Sequence, residues 1–270
     1  MSTDRTARSG TYAYDQTWDR ERERLDSMAA LLDQGTTALI EELGIAPGWR
    51  CLEVGAGGGS VALWMAEQTG AAGEVLATDV NTIHMDGLAA AGLEIRRHDV
   101  LADPLPSDHF DLIHARLVVE HIGGHALDRM VAALRPGGWL LVESFDWISL
   151  TLHPGDRATE ATGNALLELM AEGGFDPQYG RKLIHELTRV GLAEVAARGR
   201  TGVNRGGDVA VDFLRLSIES LTPALTGKPG IGEAEIAAAL ETLGDPANVL
   251  VSPPMIAAWG MKPGRAGGTR

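Results

Sequence analysis

Apolar positions along this chain recur at two spacings, and the spacing switches at regular intervals. From Trp18 the stretch WDRERERLDSMAALLDQG is charged in its first turns and apolar at helical spacing later, which predicts a helix stopped by Gly35. Its DRERERLD run reads as a solvated face carrying i, i+4 ion pairs. TTALIEELG predicts a second short helix ending at Gly44, and the APGW turn leads into an apolar strand, Arg50–Val54. From there strand and helix alternate. VALWMAEQTG is a helix stopped by Gly70, EVLATD a strand, IHMDGLAAAG a helix and LEIRRHD a strand. After the loop VLADPLPSD come the strand FDLIHAR, the helix ALDRMVAALRPGG and the strand WLLVESFDW.

Five strands alternating with helices between Arg50 and Phe145 predict right-handed βαβ units, a parallel sheet and a doubly wound α/β core. The rhythm then changes. Helices are expected in RATEATGNALLELMAEGG, GRKLIHELTRVG, DVAVDFLRLSIESL and EAEIAAALETLG, with a strand at LAEVAARGR and a last one at MIAAWGMK after a Pro-Pro pair. The expected organisation is a helical lid over 1–48, an α/β core over 49–150, cap helices with the last strands over 151–262, and a flexible tail over 263–270.

Composition narrows the class. With 270 residues and 44% hydrophobic residues the chain can bury a sizeable core, and no run is long and apolar enough for a transmembrane helix. The N-terminal segment lacks an apolar signal-peptide core, and the lone Cys51 fits a reducing cytoplasm and a buried thiol. A net charge of −14 argues against nucleic acid as partner, because phosphate binding draws on Lys and Arg. A cytoplasmic enzyme or binding protein is expected, with small molecules, peptides and cationic ligands left open as partners.

The stretch CLEVGAGGGS follows the first core strand, where an open parallel sheet places its ligand crevice. Gly55, Gly57 and Gly59 allow backbone N–H groups to approach a ligand without Cβ obstruction, and the loop runs into a helix N-terminus with unpaired donors. A nucleotide-like ligand follows. GAGGGS has no Lys, so it is not a phosphate-binding P-loop, and the place of the third glycine of a dinucleotide fingerprint is taken by Ser60. Asp79 ends the second core strand, where a carboxylate accepts from ribose hydroxyls, and Asp99 ends the third.

With Glu53 two residues before the first glycine, this G-x-G-x-G stretch resembles motif I of the class I S-adenosylmethionine-dependent methyltransferases. FDLIHARLVVEHI and LRPGGWLLVE resemble that family's fourth strand and the turn before its fifth, so the resemblance covers Arg50 to about Phe145. Beyond this core it is closest to small-molecule methyltransferases of bacterial type. The resemblance implies a mostly parallel seven-stranded Rossmann-like sheet with helical cap insertions. It also implies S-adenosyl-L-methionine as cofactor, leaving as S-adenosyl-L-homocysteine. Its cofactor contacts would be Glu53, Gly55, Ala56, Gly57, Gly59, Asp79 and Val80, with Asp99 on the adenine amino group, Val100 on the adenine face, and Arg116. Tyr12, Tyr14 and Trp18 are three of the chain's nine Tyr and Trp residues, and Tyr14 is the one expected to close over the cofactor.

Transfer of a methyl group to O, N or C of a metabolite needs placement and exclusion of water, and a base only where the acceptor must lose a proton. His121, on the loop after the fourth strand, is the candidate base, with Glu120 a weaker alternative that reads first as a cap or orienting partner. His121 and His125 have i, i+4 spacing, but the intervening Gly-Gly and the missing third ligand exclude a metal site. His84, His98, His109 and His114 read as structural. Two alternatives remain: a methyltransferase-fold enzyme catalysing a cyclisation or rearrangement, and an NAD-dependent oxidoreductase, which the glycine spacing and Asp99 disfavour.

Overall fold

In the computed structural model, residues 17–264 are described. The chain opens with α1 (Glu21–Glu42) and then alternates through β1 (Arg50–Val54), α2 (Ser60–Thr69), β2 (Glu74–Asp79), β3 (Leu93–Arg97) and β4 (Phe110–Arg116). Next come the single turn α3 (Val119–Ile122), α4 (His125–Ala133) and the long β5 (Leu134–Phe145). The remainder comprises β6 (Thr151–His153), α5 (Arg157–Glu172), α6 (Tyr179–Arg189), β7 (Ala193–Arg200), β8 (Val203–Arg205), α7 (Val209–Leu225), α8 (Glu233–Gly244), β9 (Val249–Val251) and β10 (Met255–Met261).

Seven strands form one sheet in the order β3-β2-β1-β4-β5-β10-β7. The first five run parallel, and β10 is antiparallel to both its neighbours. Strand order reverses between β1 and β4, which opens a crevice at their carboxyl ends. The alternation of side chains along each strand divides the core into two layers. On one face Cys51, Val75, Leu112 and Leu141 pack against Leu39 and Ile40 of α1 and Val61 and Met65 of α2. On the other, Leu52, Ile113, Leu140 and Val142 meet Leu127 and Met130 of α4 and Leu183 and Leu187 of α6. Every residue of β4 is buried, as a strand covered on both faces requires. The outer strand β3 instead exposes Glu94, Arg96 and Arg97, charges that blunt an edge. Cys51 is a buried free thiol, pushed up by burial.

Between Asp146 and Pro254 the chain leaves this sheet, apart from α6, which covers one face, and β7, to build a separate apolar unit. Leu166 and Met170 of α5, Val211, Leu214, Ile218 and Leu221 of α7, Ile236 and Leu243 of α8 and Leu250 of β9 form its core. Beside it lies a small antiparallel sheet, β6-β9-β8. Asp156 caps α5 by accepting from the Thr159 N–H at 2.7 Å.

Three expectations are corrected. α1 is one helix rather than two, and it passes through Gly35 because the Arg200 guanidinium crosses there: a Cβ on Gly35 would stand 1.8 Å from its nearest nitrogen. The DRERERLD run is not wholly solvated, because Glu21 and Arg24 are buried and pair with each other at 2.6 Å. The helix expected over 83–92 shrinks to a 3-10 turn, Ile83–Met85, since Gly87 takes φ +82°. The strands β6, β8 and β9 have three residues each, too few to show a period in the sequence.

Candidate active site

The crevice at the carboxyl ends of β1 to β4 is a cavity of about 270 Å³, and the glycine loop forms its floor. Gly55 takes φ +69° and Gly57 φ +56°, conformations that a side chain disfavours. At Gly55 space decides as well, because a Cβ there would lie 2.3 Å from Cγ2 of Val118. Asp79 is drawn into the loop: one carboxylate oxygen accepts from the Gly57 N–H at 3.0 Å and the other from the Asn81 N–H at 3.1 Å. Burial nevertheless outweighs these bonds and raises its pKa above the usual carboxylate range.

Val80, Asp99 and Val100 line the same cavity. Asp99 is braced at the end of β3 by the Leu101 N–H, which donates to its carboxylate at 2.8 Å. His98 lines the cavity too, although the sequence reads it as structural. Its Nδ1 is buried without a hydrogen-bond partner, which marks a place for a polar edge of a ligand. A lone His at a strand end carries no signal of this in the sequence.

Three of the expected contacts fall elsewhere. Gly59 does not line the cavity; it is the left-handed N-cap of α2, and its bare Cα lets Leu88 and Met85 pack close. Ala56 and Glu53 line a smaller cavity of about 40 Å³ on the far side of Gly55, shared with Arg116. Glu53 is turned into the protein, where its carboxylate meets Nδ1 of His114 at 2.7 Å. Arg116 borders both cavities and donates to Asp33 at 2.8 Å and Thr36 at 2.9 Å, which ties the end of β4 to α1. Tyr14 lies outside the described residues.

The opposite end of the larger cavity is apolar. Met28 of α1, Leu117, Trp147, Met170 of α5, Phe175 and Phe213 of α7 wall it, so the helical unit after β5 closes over the crevice. Trp147 and Phe213 also line a neighbouring cavity of about 220 Å³ that extends toward Leu31, Leu250 and Met255. Leu117 links β4 to α3 with φ +57°, a strained conformation for a branched residue. That turn presents two titratable side chains to the cavity.

The first is His121, as expected. Its ring lies against Phe175 at 4.9 Å between centroids, and burial, helped by the Arg24 charge, pushes its pKa down to about 4. It is neutral near pH 7 and a weak proton acceptor. The second is Glu120, only 2% exposed and burdened by burial, which pushes its pKa up to about 8. The Ser144 hydroxyl lies near enough to favour ionisation, yet neither carboxylate oxygen makes a hydrogen bond of ordinary geometry. Among the described residues no group of three His, Cys, Asp or Glu side chains could hold a metal ion, and no helix is long and apolar enough to cross a membrane.

Comparison with known proteins agrees with this architecture. Residues 18–196 match the family model described as a methyltransferase domain. Methyltransferase str3 of Strobilurus tenacellus is 30% identical over 173 residues, covering 61% of this chain and 60% of that protein. The ubiquinone/menaquinone biosynthesis C-methyltransferase UbiE of Laribacter hongkongensis is 33% identical over 123 residues, covering 43% and 50%. The chain thus matches 60% or less of the length of these two relatives. Among solved structures, phosphoethanolamine N-methyltransferase 2 of Haemonchus contortus, in complex with phosphomonomethylethanolamine and S-adenosylhomocysteine, superposes with a TM-score of 0.54. It is 16% identical and the match covers 85% of this chain and 52% of that one. The [4+2]-cyclase SpnF gives 0.53 at 18% identity, covering 85% and 81%. These likenesses are of fold. With the family model spanning about two thirds of its length, the chain belongs to the methyltransferase-domain family.

Proposed function

We propose that the protein transfers a methyl group from S-adenosylmethionine to a small-molecule acceptor. The observation that carries this reading is a single cavity with two unlike ends. One end has bare backbone, two strand-end carboxylates and an unpartnered imidazole nitrogen; the other is an apolar chamber under the helical unit. The first fits an adenosine: Asp79 has lone pairs left for ribose hydroxyls, Asp99 and His98 offer polar atoms to an adenine edge, and Val100 a flat apolar contact. The small cavity beside Gly55, edged by Glu53, Ala56 and Arg116, extends the site for the amino-acid end of the cofactor. When bound, S-adenosylmethionine supplies an electrophilic methyl group on a sulfonium. The protein's own part is to orient the acceptor and exclude water. Leu117, Trp147, Met170, Phe175 and Phe213 do the second, and the size of their chamber suits a metabolite rather than a macromolecule.

Division of the chain into a lid over 1–48, a cofactor core over 49–150 and a cap with the last strands over 151–262 is consistent with this. α1 contributes Glu21, Arg24, Leu25 and Met28 to the cavity, and the unit after β5 contributes the far wall. Calorimetric titration with S-adenosylhomocysteine tests the reading. Saturable one-to-one binding is expected, and folded protein that takes up none would refute it. A candidate acceptor incubated with S-adenosylmethionine should gain the mass of one methylene unit; an isomer of unchanged mass would point to cyclisation or rearrangement instead.

A further inference from the structure

Glu120 is the one group in the apolar chamber whose position the fold does not explain. It is buried to 2% exposure, it lines the cavity, and both carboxyl oxygens lack a hydrogen-bond partner. Burying a carboxyl without a partner costs several kcal/mol even when the group stays neutral, and such a cost persists only where something offsets it. The groups around it do not. The Asp176 charge is of like sign, the Tyr179 hydroxyl is itself buried without a partner, and the two nearby donors, its own backbone N–H and the Ser144 hydroxyl, make no bond of ordinary geometry to it. The other charged pair at this end, Glu21 and Arg24, is satisfied internally by two bonds of 2.6 and 2.8 Å. Apolar walls here include Met28, Leu117, Trp147, Met170, Phe175 and Phe213.

Given the methyltransferase reading above, on which this rests, we propose that Glu120 is the polar anchor for the acceptor. The acceptor is an uncharged, largely apolar molecule of aromatic size, held with one hydroxyl donating to the Glu120 carboxyl. A hydroxyl satisfies the orphaned oxygens without bringing charge into the chamber. An ammonium would require an ionised Glu120 and the desolvation of both charges, and an anion would meet the Glu120 carboxyl itself, because Arg24 and Arg116, the cations on the cavity wall, are already paired with Glu21 and Asp33. His121 stands beside the anchor as a neutral ring that helps wall the chamber.

Calorimetry with surrogate ligands tests this on the whole chain. The probes are 2-naphthol, its ether 2-methoxynaphthalene, 2-naphthoate and naphthalen-2-ylmethylammonium, each titrated into wild type, Glu120→Ala and Glu120→Gln. Wild type is expected to bind 2-naphthol roughly tenfold or more tightly than the ether, and the two charged probes more weakly than either. Glu120→Ala should lose most of the naphthol preference while its affinity for the ether stays within about twofold, and Glu120→Gln, which keeps an acceptor oxygen, should retain much of it. The melting temperature should be unchanged or raised in Glu120→Ala, because an unpartnered buried carboxyl is removed, and close to wild type in Glu120→Gln, which exchanges it for an amide of the same size. Equal binding of naphthol and ether by wild type, a naphthol affinity unmoved by Glu120→Ala, tighter binding of the ammonium, or unfolding of both variants would each overturn the assignment. S-adenosylhomocysteine titrated into the same preparations separates the two readings. If it binds while the naphthol preference is absent, only the anchor falls; if it does not bind to folded wild type, the methyl-transfer reading falls first.

Discussion

Glu53 of β1 and His114 of β4 stand opposite each other in the parallel register and join side chains at 2.7 Å in the middle of the sheet. The other imidazole nitrogen meets Glu143 of β5 at 3.2 Å, and Glu143 also accepts from Thr36 of α1 and from Arg200 of β7 at 3.0 Å. Burial alone would lower the pKa of His114, but the two carboxylates outweigh it and hold it up at about 9. Burial works to raise the Glu143 carboxyl, yet His114, Arg116 and Arg200 prevail and hold it below the ordinary range. The imidazolium is thus a bridge between two carboxylates.

That bridge sets a pH dependence of stability. The folded pKa of His114 lies above its unfolded value, so its contribution is fully present below about pH 6.5 and is lost as pH rises through about 9. Glu120, also raised, loses stability in the same direction between about pH 4.5 and 8. Urea unfolding should therefore show a decrease on the order of 3 kcal/mol or more between pH 6.5 and 9.5. A flat profile over that range would refute the charged bridge.

Replacing His114 removes the cation and leaves two buried carboxylates facing each other. His114→Leu is expected to cost about 3–5 kcal/mol at pH 7, more than Glu143→Gln, which leaves the imidazole paired with Glu53. Chemical denaturation of the two variants gives the comparison.

Asp79 should be the most sensitive cofactor contact. Asp79→Ala removes both the ribose acceptor and the brace on the Gly57 N–H, and a loss of roughly tenfold or more in S-adenosylhomocysteine affinity is expected. His121→Ala should stay within a few-fold of wild type in the same titration. The reverse order would contradict the roles given to the two residues.

At Gly55 an added methyl meets both an unfavourable φ and the Val118 side chain. Gly55→Ala is expected to cost roughly 2–4 kcal/mol and to weaken cofactor binding. Combining it with Val118→Ala should recover the steric part and leave the backbone part, so the double variant melts between wild type and the single one.

Trp147 divides the apolar chamber from the neighbouring cavity that runs toward Leu250. Trp147→Ala should merge the two spaces and shift preference toward longer apolar ligands, by about tenfold for a substituent of several carbons. Calorimetry with a 2-naphthol series extended at the 6-position would show it.

The strands and most helices were legible in the sequence because their apolar spacing is enforced by packing on both faces of the sheet. Glycine spacing and two strand-end aspartates located the crevice for the same reason, since they sit at fixed points of the strand-loop-helix unit. What escaped depends on contacts between distant segments. Gly35 looks like a helix stop until Arg200, from the other end of the chain, is seen to cross it. Glu21 and Arg24 look like surface charges, and only the closure of α1 over the cavity buries them. That one carboxylate oxygen of Glu53 is engaged by the histidine opposite it on β4 is likewise visible only once the strands are paired. The helix expected over 83–92 failed at Gly87, where a locally apolar pattern lost to a left-handed backbone.

Phe145, where the chain leaves the sheet, and Met255, where it returns, face each other as partners on β5 and β10. The whole excursion between them departs and rejoins at one rung of the ladder. Its length and content can change without stretching the strands that carry Gly55, Asp79 and Asp99. Replacement of α5, α7 and α8 is therefore a route to altered acceptor range that leaves the donor half untouched, provided α6 is kept as the cover on the sheet and β7 as the edge beside β10.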